Sequence, residues 1–93
     1  MKFPRSYDAT VTRADFVRLL ADATGQDDFV ESGELFTGRG WTLRLSPIAP
    51  LEIGMVRLAR HRVDIRFEGL SADAEEAFMR RFTLHYGDMT DST

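Results

Sequence analysis

Arg62-Val63-Asp64-Ile65-Arg66-Phe67-Glu68-Gly69-Leu70-Ser71-Ala72-Asp73-Ala74-Glu75-Glu76, running on through Ala77 to Tyr86, is the stretch on which the fold turns. Val63, Ile65 and Phe67 alternate with Asp64, Arg66 and Glu68, the period of a strand with one buried face. Gly69 ends that strand, and Ser71 is placed to cap a helix whose first turn holds Asp73, Glu75 and Glu76. Arg80, Arg81 and His85 gather near the other end, where positive charge offsets the carbonyl pole, and Gly87 offers a stop. The helix read over Ala72–Tyr86 sets Ala74, Ala77, Phe78, Phe82 and His85 along one side, with Met79 and Leu84 at its borders.

Working back from this unit, Thr12 opens another helix, with Asp15 at the offset of a capping box. Phe16, Leu19, Leu20 and Ala23 recur at helical spacing, Val17 widens the stripe, and Thr24-Gly25 ends it. Residues 1–11, broken by Pro4, read as an extended N-terminal arm, and 87–93 as a frayed tail. Phe29 and Val30 are candidates to tuck back onto the first helix. Leu35-Phe36-Thr37 reads as a short strand and Gly38-Arg39-Gly40 as a hairpin turn. Trp41, Leu43 and Leu45 alternate with Thr42, Arg44 and Ser46 as a clean strand, which Pro47 and Pro50 interrupt. Leu51 to Leu58 reads as the next strand, with Leu51, Ile53 and Met55 on one face and Val56 and Leu58 on the other. Either Gly54 marks a bulge or both faces are covered. Ala59 to Arg62 then turns the chain back.

The chain of 93 residues thus reads as one α+β domain over residues 1–93. Its expected form is a two-layer sandwich in α-β-β-β-α order: a three- to four-stranded antiparallel meander with both helices on one face. The other sheet face is left open, carrying Arg44, Arg62, Asp64, Arg66 and Glu68.

Composition narrows the function. With no cysteine, disulfides and thiolate metal sites are excluded. No apolar run reaches the roughly 18 residues of a membrane span, and the N-terminus lacks the apolar stretch of a secretory signal. A cytoplasmic, bacterial-type protein is the default expectation. Charge is uneven: residues 1–34 carry −3, 35–67 carry +4 and 68–93 carry −4. The predicted sheet is basic between acidic flanks.

Motifs for chemistry are lacking. Neither a Walker loop nor GxGxxG is present. His61 and His85 form no metal-ligand pair, and Asp27, Asp28, Glu31 and Glu34 lack calcium-loop spacing. Ser32, Ser46 and Ser71 stand outside any GxSxG. On one strand Asp64 and Glu68 lie roughly 13 Å apart, too far for paired carboxylate work. No catalytic residue, metal or cofactor is therefore expected.

The arginines raise a nucleic-acid reading. Arg57, Arg60, His61 and Arg62 surround one predicted hairpin, and Arg44 and Arg66 extend the patch, in forks suited to phosphate. The element order is similar to that of double-stranded RNA-binding domains. That family relies on a lysine-rich start to its last helix, where this chain has Ala72-Asp73-Ala74-Glu75-Glu76, and a pI near 5.3 opposes it too. The favoured expectation is a non-catalytic domain that binds a protein partner or forms a homodimer through its open face. Leu51, Ile53 and Met55 join the arginines as contacts. A small enzyme or ligand-binding protein is the further alternative.

Overall fold

The computed structural model describes residues 5–86. They form, in order, β1 (Ser6–Thr10), α1 (Arg13–Thr24), β2 (Val30–Ser32), β3 (Leu35–Thr37), β4 (Trp41–Ile53), β5 (Val56–Phe67) and α2 (Ala72–Tyr86). The strands make one antiparallel sheet in the order β1-β5-β4-β3-β2. The α+β class holds, but the sheet has five strands rather than three or four, and a strand precedes the first helix. Gly87 and the tail 87–93 lie outside the described residues.

Both extra strands are short edges. β1 places Tyr7 and Ala9 opposite Val63 and His61 on the core side, and Asp8 opposite Arg62 on the other. Five residues with one large apolar group are too few to show a period. All three residues of β2 are exposed, so no alternation marks it. Pairing with β3 across Gly33-Glu34 holds it in place.

The helices begin where their caps are written. Thr12 accepts a hydrogen bond from the Asp15 N–H at 3.1 Å, and the Gly25 N–H closes α1 onto the Ala21 carbonyl at 2.9 Å. Ser71 Oγ accepts from the Ala74 N–H at 3.1 Å. One rim of the sheet–helix core depends on a close approach. A Cβ on Gly38 would stand 2.2 Å from Trp41 Cε2, so only glycine lets the loop lie on the indole, whose Nε1 donates to Gln26 Oε1 at 3.1 Å.

Both helices cover one sheet face. On β4 and β5, Trp41, Leu43, Leu45, Val63 and Ile65 are buried, while the residues between them point to the other side. Phe16 and Leu20 of α1 and Phe82 and Tyr86 of α2 complete the core. The Phe16 ring stacks on Tyr86 at 4.5 Å, and the Tyr86 hydroxyl donates to the Phe16 carbonyl. The buried side of α2 is centred on Met79, Phe82 and Tyr86, whereas Ala77 and Leu84 are exposed, a rotation from the predicted stripe. Large side chains sought the core ahead of the alanines. Phe29 leans on Phe36 and Trp41, but Val30 faces solvent.

The larger correction concerns Leu51 to Leu58. This segment is not one strand; it is the tip of a long β4–β5 hairpin. β4 runs unbroken for 13 residues through both prolines. Leu45 donates its N–H to Glu34 on the β3 side at 2.8 Å. Pro47, two residues on, points its nitrogen the same way, past the end of β3, so no ladder bond is lost. The irregularity lies between Ile48 and Leu51, where Ala49 and Pro50 together face Ala59, a bulge at Pro50 rather than at Gly54. Gly54, with φ 59, takes the first place of a two-residue turn with Met55, the position a type II′ turn gives to glycine. Ala59 to Arg62 consequently continue β5 instead of turning.

Candidate protein-interaction surface

β4 and β5 outrun their neighbours. β3 ends beside Arg44 and β1 beside Arg60, so the hairpin beyond them is a two-stranded arm. Its cross-strand pairs sort its faces. Leu51 opposes Leu58 and Ile53 opposes Val56 on the side continuous with the open sheet face, while Glu52 opposes Arg57 on the reverse. Exposure is 39% for Leu51, 59% for Ile53, 102% for Met55, 55% for Val56 and 39% for Leu58. Glu52 and Arg57 pair across the reverse side at 3.7 Å. The arm is thus apolar on one face and ionic on the other.

The sequence places Val56 and Leu58 on the face opposite Leu51 and Ile53. In the structure all four share one face, because the turn folds the segment back on itself. Leu-Glu-Ile-Gly-Met-Val-Arg-Leu was the signal: two apolar–charged–apolar triplets mirrored about a glycine turn.

The arginine patch is rearranged more deeply. Arg57, Arg60, His61 and Arg62 lie in succession on one strand, so alternation divides them. Arg60 and Arg62 join Arg44 and Arg66 on the open face, whereas His61 belongs to the core side. His61 is buried, and its Nδ1 lies 2.9 Å from the Val11 carbonyl. Because a carbonyl only accepts, Nδ1 carries the proton. His61 joins β5 to the chain entering α1, away from the open face.

On the open face, carboxylates meet most of the arginines. Asp8 takes Arg62 Nε at 2.8 Å and lies 3.7 Å from Arg60. Arg44 lies 3.6 Å from Glu34. The hydrogen bond and charge of Asp8 raise the Arg62 pKa, holding it ionised. Asp64 accepts from Ser6 Oγ at 2.6 Å. Arg66 has no ion-pair partner among the described residues. It lines a shallow concavity of about 450 Å³ with Leu35, Thr42, Arg44 and Asp64. A second groove of about 350 Å³ runs along the arm's root past Pro47, Ala59 and His61. Asp8, unremarked in the sequence, is the carboxylate that Arg60 and Arg62 share at the centre of the patch; only the edge strand β1 brings it there.

Elsewhere, burial raises the pKa of the Tyr7 and Tyr86 phenols. Among the described residues no group of three or more His, Asp or Glu could hold a metal ion, and no helix is long and apolar enough to cross a membrane.

No protein-family model matches this chain, and no curated protein matches its sequence. The strand ahead of α1 and the five-stranded sheet also depart from the helix–three-strand–helix order of double-stranded RNA-binding domains.

Proposed function

We propose that this chain is a binding module that docks a protein partner through the apolar face of its β4–β5 arm. The observation that carries this reading is the arm itself: Leu51, Ile53, Met55, Val56 and Leu58 are all exposed, while Leu43, Leu45, Val63 and Ile65 on the same two strands are buried. Apolar residues grouped on a projecting element mark an interaction site, unlike ones scattered singly. The ion pairs favour protein over nucleic acid. Arg44 and Arg57 face Glu34 and Glu52, and Arg60 and Arg62 share Asp8, so phosphate would compete with carboxylates already beside these four arginines.

A photoreactive residue placed at Val56, and in a control at Arg18 on the solvent side of α1, tests this in cells that make the chain. Covalent adducts are expected from position 56 alone, and Ile53→Lys is expected to remove them. No adduct at 56, or equal yields at both positions, refutes the reading.

A further inference from the structure

We propose that the occupant of the arm's apolar face is a second copy of this chain, packed face to face about a two-fold axis. This rests on the docking role given to the arm and names its partner.

Area is the first argument. With about 150–200 Å² for each fully exposed residue of this size, the four rung residues Leu51, Ile53, Val56 and Leu58 expose roughly 300–400 Å², and the Met55 tip brings the total to at most about 500 Å² per copy. Complete burial of two such patches, tips included, reaches at most about 1,000 Å², the threshold for a specific protein interface. The adjoining sheet supplies the rim. A partner offering less than an equal apolar face would leave part of the arm wet.

Charge is the second. The apolar face bears no formal charge, because Glu52 and Arg57 point to the reverse side and pair there. The next charged groups on the same face, Arg60 and Arg62, are held by Asp8. Within the arm's apolar patch nothing repels its own copy, and nothing there calls for a partner of either sign. Apposing the two apolar patches themselves buries no charge.

Symmetry is the third. The face has two apolar rungs, Leu51/Leu58 and Ile53/Val56, on either side of the Glu52/Arg57 pair. A two-fold axis through that middle rung lays each rung on the other copy's second rung. The Met55 tip of each copy then reaches the Ile48 root of the other. The contact is closed and self-complementary.

Sedimentation of the purified full chain from micromolar to near-millimolar concentration tests this. A monomer–dimer equilibrium is expected. The double variant Ile53→Lys/Val56→Lys is expected to raise the dissociation constant by on the order of 100-fold, as loss of two central contacts does. Leu84→Lys, on the exposed side of α2, is expected to leave it unchanged. Far-UV circular dichroism checks folding; should the lysine pair not fold, Ile53→Thr/Val56→Thr reads the same contact. A wild-type chain that stays monomeric throughout overturns the proposal, as does a dimer indifferent to the arm variants. Adduct mass at position 56 separates this from the broader reading. Twice the chain's mass supports the second copy; another mass with a monomeric pure protein keeps the docking role and ends self-association; no adduct ends the docking role.

Discussion

Val63 and Val56 are the same residue type on the same strand, yet they occupy opposite environments, and truncating each to alanine measures the difference. Val63 is fully buried opposite Leu45 and beneath the helices. Removing two methyl groups there loses about 0.8 kcal/mol of transfer free energy per carbon, and the cavity left behind brings the cost to roughly 2–3 kcal/mol. Val56 is 55% exposed, with the turn beside it and no helix above. Its truncation costs well under ~1 kcal/mol, since less than half of each methyl leaves water on folding. Urea unfolding followed by circular dichroism, at concentrations low enough to keep the chain monomeric, reads both values. With an m-value of about 1–3 kcal/mol/M, Val63→Ala moves the midpoint down by on the order of 1 M while Val56→Ala barely moves it. Equal shifts for the two variants would show that the arm folds down onto the body, and the exposed apolar face would not exist.

Two further outcomes test the body of the fold. Gly38→Ala drives a methyl into the indole of Trp41, and the displacement of that anchored ring is expected to cost about 1–3 kcal/mol, read by urea unfolding together with a change in tryptophan fluorescence. The raised phenol pKa values of Tyr7 and Tyr86 give stability a defined pH dependence. Each phenol is neutral in the folded state where the unfolded chain ionises at about pH 10, so the unfolded state binds fewer protons above that point and stability falls as pH rises further. Thermal unfolding at a series of alkaline pH values is expected to show this loss begin near pH 10, and Tyr7→Phe to lessen it.

Much of the fold was legible because its signals are local. Thr12 and Ser71 announce helix starts through their own side chains, and Trp41-Leu43-Leu45 and Val63-Ile65 declare a buried face by alternation alone. The edge strands were not legible. β1 contributes Asp8, whose role depends on meeting Arg62 from 54 residues away, and β2 has no apolar face to show. The arm misled for a different reason. Two prolines usually end a strand, and they do not here because β3 stops before Pro47 and Pro50 falls in a bulge; neither fact is local. Of the predicted contacts, Leu51, Ile53 and Met55 are exposed together, whereas the arginines divide between two faces and His61 turns inward. A run of basic residues in sequence reads as a patch only until alternation distributes it.

The prolines of β4 bear on how any assembly through this arm would end. Growth of a fibre by strand addition needs two receptive edges, so that each arriving chain offers a fresh one. Pro47 and the bulge at Pro50 remove backbone N–H donors from β4 and break its regular edge, which makes that strand a poor template for strand addition. A hairpin of this kind is disfavoured for growth along its β4 edge, which weights assembly through the arm toward contact between faces.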